Sequence, residues 1–122
     1  MMAPLEVHAR LKIRPGQLDG FKAQAAELIR LTREKDTRTI RYDWFIDANG
    51  TACEVHESYL DGRGLVEHNA NVMAARAVLF EKYAYDHRMT AFGAVSQELR
   101  DLGEKHAGGL AVCSLLCGSE AT

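Results

Sequence analysis

The residues with the types to do acid–base chemistry on an organic molecule lie between Tyr42 and Asn71. His68 sits on the apolar side of a helical stretch, and an imidazole changes charge near neutral pH, so it is a candidate general base. Glu57 shares a strand face with Trp44. An acid in such surroundings must be paired or have a raised pKa. It could orient His68 or act as the base itself; it could equally be a structural acid bonded to Tyr42 or to a helix residue. Trp44, the single tryptophan, could stack on a planar ligand and donate its indole N–H to a ligand oxygen, or simply fill a core. Tyr42 and Tyr59 carry the same ambiguity. Asn71 lies one turn beyond His68 and could hold an oxyanion or cap a loop.

A hairpin must position most of these groups. Thr39 to Leu60 reads as two strands joined at Asn49-Gly50, residues that tolerate the positive φ of a two-residue type I′ turn. That turn sets Ile40 opposite Tyr59, Tyr42 opposite Glu57, Trp44 opposite Val55 and Ile46 opposite Cys53, all on one largely apolar face. The other face carries Arg41, Asp43 and Phe45 against Ser58, His56 and Glu54. A slip of one residue would exchange the faces. His56, opposite Asp43, reads as part of an ion pair on the face away from any pocket.

The remaining elements follow from periodicity. Leu5 to Arg14 alternates apolar and polar residues, which predicts a strand with one face in a core; Pro15-Gly16 ends it. Leu18, Phe21, Ala25, Leu28 and Thr32 step by three and four and predict a helix from Gln17 to about Lys35. Gly20 costs it some propensity. Residues 36–38 form a polar connection. Asp61 can cap a second helix from about Arg63 to Phe80, with Leu65, His68, Val72, Ala75 and Leu79 on one face. His87 to Ala94 predicts a further strand. Ser96 then caps a short helix to about His106, stopped by Gly108-Gly109. Leu110 to Cys117 forms a last strand or arm, and residues 119–122 a frayed end.

Composition narrows the partners. The chain has 122 residues, 47% hydrophobic and 26% charged, with a net charge of −2. That fits one soluble domain and, without a basic stripe, argues against nucleic acid. No apolar run is long enough for a membrane span, and no signal peptide is evident at the start. Cys53, Cys113 and Cys117 then read as reduced thiols in the cytoplasm. Cys113 and Cys117 lack the second Cys or His pair that a zinc finger needs. No nucleophile elbow, phosphate loop or paired-His metal helix occurs.

Strand, helix, strand, strand, helix, strand is the order of a ferredoxin-like α+β fold, a four-stranded antiparallel sheet with two helices on one face. A C-terminal helix and strand, about residues 96–118, extend a core of about residues 5–95. The uncovered sheet face would carry His8, Arg10, Lys12, Arg41, Asp43, Phe45, Glu54 and His56. It suits either solvent or a second sheet.

The segments IRPGQLDGFKAQAAELIRLTRE and RYDWFIDANGTACEVHESYLDGRGLVEH resemble the antibiotic biosynthesis monooxygenase family of dimeric α+β barrel proteins. The resemblance rests on Arg14-Pro15-Gly16, the Tyr42-x-Trp44-Phe45 strand, the His56-Glu57-x-Tyr59 strand with Asp61 behind it, and Glu67-His68 followed by Asn71-Val72. It runs from about Val7 to Met73, and more loosely through Met89 to Gly93. It implies a homodimer packed sheet to sheet and a pocket between sheet and helices in each subunit. It further implies oxygenation of a quinol or hydroxylated aromatic without metal or flavin. The catalytic candidates are then His68 and Glu57, and the substrate-binding candidates Trp44, Tyr42, Tyr59, Asn71 and Val72, with no cofactor. Haem degradation, with His68 as axial ligand, ranks lower. Two other readings remain open on the sequence: a non-enzymatic dimer that binds a small planar metabolite, and an interaction or stress protein whose pocket is filled by its own side chains.

Overall fold

The computed structural model describes residues 4–104 and 109–119. β1 (Leu5–Ile13), α1 (Leu18–Lys35), β2 (Thr39–Ile46), β3 (Ala52–Tyr59), α2 (Gly62–Lys82) and β4 (Ala84–Phe92) form the expected βαββαβ unit. α3 (Gln97–Glu104) and β5 (Leu110–Cys113) follow. The sheet order is β2-β3-β1-β4-β5, antiparallel up to β4, with β5 added parallel to it. The fold is therefore the α+β ferredoxin-like architecture with a C-terminal helix and strand. Lys105 to Gly108, where the short helix was expected to end, lie outside the described residues.

The apolar stripes meet where periodicity puts them. Leu5, Val7, Ala9, Leu11 and Ile13 of β1 are buried, as are Phe21, Ala25 and Leu28 of α1 and Leu65, Val72 and Leu79 of α2. Burial pushes the Cys53 thiol up to about 11, so it packs as an inert apolar group. Cys113 and Cys117 are exposed free thiols. Gly64 allows α2 its close approach to the sheet: a Cβ there would stand 2.9 Å from the Tyr59 Cβ and 3.0 Å from the Arg38 carbonyl oxygen.

The hairpin keeps its register but not its turn. Tyr42 faces Glu57, Trp44 faces Val55 and Ile46 faces Cys53, as expected. The connection is wider than Asn49-Gly50 alone: Asp47 N–H donates to Ala52 O (3.1 Å), and Gly50 N–H closes a turn on Asp47 O (3.2 Å). Only Gly50 has positive φ, at 68°, which excludes a type I′ turn. The Asp47 carboxylate accepts from Thr51 N–H (2.8 Å) and Oγ1–H (2.7 Å) and fixes this loop. Residues 48–51 have the same midpoint as the two-residue turn, so the pairing is unchanged.

Two bulges depart from the sequence reading. Tyr59 faces Thr39 rather than Ile40, and the register shifts between Thr39 and Arg41. Ile40 is thereby turned out, 58% exposed, instead of lying on the inner face. On β4 the register shifts between Arg10 and Lys12, and Asp86 has φ 54°. Alternation breaks there, which is why the strand, expected from His87, begins three residues earlier at Ala84.

Asp61 caps α2 by accepting from Gly64 N–H (3.2 Å) and pairs with Arg38 (3.0 Å). Asp61→Ala is expected to destabilise the fold by about 1–2 kcal/mol, the usual range for a lost N-cap. A urea midpoint that does not move would show that the cap is replaceable. Among the described residues, no helix is long and apolar enough to cross a membrane.

Candidate functional site

β2 and β3 present Tyr42, Trp44, Val55 and Glu57 to the inner face, and α2 lies across them with His68 pointing down. These side chains line one cavity with Leu28, Asn69, Arg76 and Phe80. Only about 40 Å³ of the cavity admits the centre of a water molecule. That is room for a few waters. A ring-sized ligand therefore has to displace side chains of the wall.

His68 is held by Asp36, in the connection after α1. Its Nδ1 is 2.8 Å from Asp36 Oδ2, and the two side chains are only 3% and 1% exposed. Asp36 also accepts from Asn71 Nδ2 (2.8 Å) and Thr39 Oγ1 (2.6 Å). Burial alone would raise the Asp36 carboxyl, but hydrogen bonds from His68, Asn71 and Thr39 outweigh it and hold the group below the ordinary carboxylate range. An ionised Asp36 needs a proton on the nearest imidazole nitrogen, so Nδ1–H donates to it and, in the neutral form of the ring, the lone pair is on Nε2. A buried carboxylate behind an imidazole orients a general base in this way.

His68 Nε2 is 4.0 Å from Glu57 Oε1. That is too long for a hydrogen bond and leaves a gap between the two groups. Glu57 instead accepts from the Tyr59 hydroxyl, which is the structural role considered for it with a different tyrosine. Burial raises the Glu57 carboxyl, although the His68 charge opposes that. Tyr42 stands edge-on to His68, with 4.5 Å between ring centroids. Burial, reinforced by the charge of Glu57, holds the hydroxyls of Tyr42 and Tyr59 well above their ordinary range, so both are neutral donors.

One buried donor in the wall lacks an acceptor, and one cation there lacks a carboxylate partner among the described residues. The Trp44 indole N–H is buried without a hydrogen-bond partner; the neighbouring Tyr42 ring stands edge-on to the indole, with 5.8 Å between centroids. Arg76 donates to Asn69 Oδ1 and has no carboxylate within ion-pair distance among the described residues. Burial lowers its pKa, and only the more distant Tyr42, Glu57 and Tyr59 oppose this. Unmet donors in an apolar cavity are costly unless a ligand oxygen completes them.

The cavity gathers His68, Glu57, Trp44 and Tyr42, but not the remaining candidates. Tyr59 is fully buried behind Glu57, and Val72 is fully buried away from the cavity. The Asn71 amide is turned to Asp36, so it supports the histidine rather than facing a ligand. His56 makes its contact with Glu54 (2.9 Å), while Asp43, the partner expected for it, pairs with Arg41 (2.6 Å). Asp36 and Arg76 escaped the sequence reading. Arg76 could have been found, because it continues the His68–Val72 row by one more turn. Asp36 carried no periodic signal.

The chain resembles several solved structures. MupZ from Pseudomonas fluorescens matches 97% of this chain and 95% of its own, at 22% identity and a TM-score of 0.76. Rv0793 from Mycobacterium tuberculosis matches 78% of this chain and 98% of its own, at 25% identity and a TM-score of 0.65. An antibiotic biosynthesis monooxygenase matches 75% of this chain and 99% of its own, at 23% identity and a TM-score of 0.66. These likenesses establish the fold. No protein-family model matches the chain, and no curated protein matches it in sequence.

Proposed function

We propose that this protein is a cofactor-independent monooxygenase acting on a small quinol or hydroxylated aromatic, of the antibiotic biosynthesis monooxygenase type. The observation that carries this reading is the buried Asp36–His68 pair, whose free Nε2 faces an apolar cavity. A phenol entering there gives its proton to Nε2, while Asp36 stabilises the imidazolium. The phenolate oxygen would meet the Trp44 N–H, the donor left without an acceptor, within the field of the Arg76 guanidinium. The electron-rich anion passes an electron to dioxygen, and the resulting radicals combine to a peroxide. Loss of water leaves the carbonyl product, and Glu57, whose carboxyl burial raises, is placed to supply a proton to the departing oxygen. Exclusion of water by the apolar wall protects the anion. In this reading the protein works as a homodimer through its uncovered sheet face, and the compartment is the cytoplasm.

Oxygen consumption with a panel of quinols and anthrones tests the proposal. Turnover is expected to fall about 10²–10⁴-fold in His68→Ala, the range for loss of a general base. No oxygen uptake with any of the panel, or turnover unaffected by His68→Ala, would overturn it. The narrowness of the cavity favours a second reading, a non-enzymatic binder of a small planar molecule. Ligand quenching of Trp44 fluorescence without product would select that reading.

A further inference from the structure

We propose that His8, Glu54 and His56 form a binding site for a divalent first-row transition ion, on the sheet face opposite the cavity. The site shares no residue with the pocket, and it lies on the sheet face that the proposed homodimer would bring against its partner. His8 and His56 stand directly opposite each other on β1 and β3. Glu54 is two residues before His56, hence on the same face of the same strand. One donor atom from each residue lies within 4.8 Å of the others. Two imidazole nitrogens and one carboxylate oxygen suit zinc, nickel, cobalt or copper rather than magnesium or calcium.

At present the donors are engaged with each other. The two imidazoles stack with 4.1 Å between centroids and 9° between planes, and His56 Nε2 is 2.9 Å from Glu54 Oε1. Nitrogen ligands of a tetrahedral zinc are about 3.3 Å apart, given Zn–N bonds of about 2.0 Å. Closing on an ion therefore needs the rings to turn out of their stack by a modest rotation. Both rings are partly exposed in the single chain. Phe45 and Phe92 flank the pair, at 4.8 Å from His56 and 5.0 Å from His8. Glu6, 3.8 Å from His8 Nε2, adds negative charge. Arg10 opposes binding: it faces Glu54 across the strands, and its charge competes for that carboxylate. Three protein ligands leave a fourth position for water.

The test is a zinc titration of the full chain against a chromophoric chelator, in a Cys113→Ser, Cys117→Ser background that removes the exposed thiols. One ion per chain is expected. The His8→Ala, His56→Ala variant should bind at least about 100-fold more weakly, Glu54→Gln more weakly too, and Arg10→Ala more tightly. Cobalt substitution should give visible bands that the double variant lacks. Circular dichroism checks that the fold is retained. The site is ruled out if the background protein binds no zinc, or if the double variant binds as well as its parent.

Discussion

Replacing Asp36 by Asn is expected to destabilise the protein by about 3 kcal/mol, the range for breaking a buried charged pair by removing one partner. The side chain has three protein donors, from His68, Asn71 and Thr39, and almost no solvent. A carboxamide keeps one acceptor and turns an N–H toward one of those donors. The same change releases the imidazole from the tautomer that exposes Nε2, so turnover should fall about 10²–10⁴-fold on any substrate the wild type accepts. Asn71→Ala removes one donor and leaves the charge, so it should cost about 1 kcal/mol. The sign with pH follows from the lowered carboxyl. Its stabilisation is fully present above the unfolded value of about 3.9 and is lost as pH falls through the folded value. Urea titrations between pH 3 and 7 measure this: wild type and Asp36→Asn should converge toward the acid end. A variant as stable and active as wild type would remove Asp36 from the account.

The contrast between Asp36 and Glu57 shows what the sequence could reveal. Glu57 was placed beside Trp44 by strand alternation and hairpin register. That placement survived a misread turn, because a loop at residues 48–51 and a turn at Asn49-Gly50 share a midpoint. Helical periodicity likewise brought His68 over the sheet. Asp36 sits in a connection, where the path of the backbone rather than any period aims the side chain. Ile40 and the start of β4 were misplaced for a related reason. An inserted residue breaks the alternation, and nothing in the residue types marks where. Val72 and Tyr59 show a further limit. Periodicity says that a side chain points inward, but not whether it meets a cavity or another side chain. The added α3–β5 unit contributes Leu99, Leu102, Gly103 and Leu110 to the cavity wall. The C-terminal segment is therefore part of the pocket and not only an appendage to the sheet.

Glu57→Gln should separate the two acids of the site. Burial raises the Glu57 carboxyl, the opposite direction to Asp36. A group raised in the folded state contributes its full stabilisation below the unfolded value of about 4.3 and loses it as pH rises through the folded value. Glutamine keeps an acceptor for the Tyr59 hydroxyl and carries no charge to bury. The stability of the variant relative to wild type should therefore improve as pH rises above the unfolded value of about 4.3 and level off above the folded value, whereas that of Asp36→Asn should worsen over its own, more acid range. Denaturant midpoints from about pH 3 to 8 measure both. A difference between Glu57→Gln and wild type that does not change with pH would mean that the carboxyl titrates as it does in the unfolded chain. Turnover supplies the other half of the test. If Glu57 delivers the proton to the departing oxygen, the variant should still quench Trp44 fluorescence on binding ligand but turn over about 10²-fold more slowly. Unimpaired turnover would leave Glu57 as a structural acid bonded to Tyr59, with His68 and Asp36 carrying the proton chemistry alone.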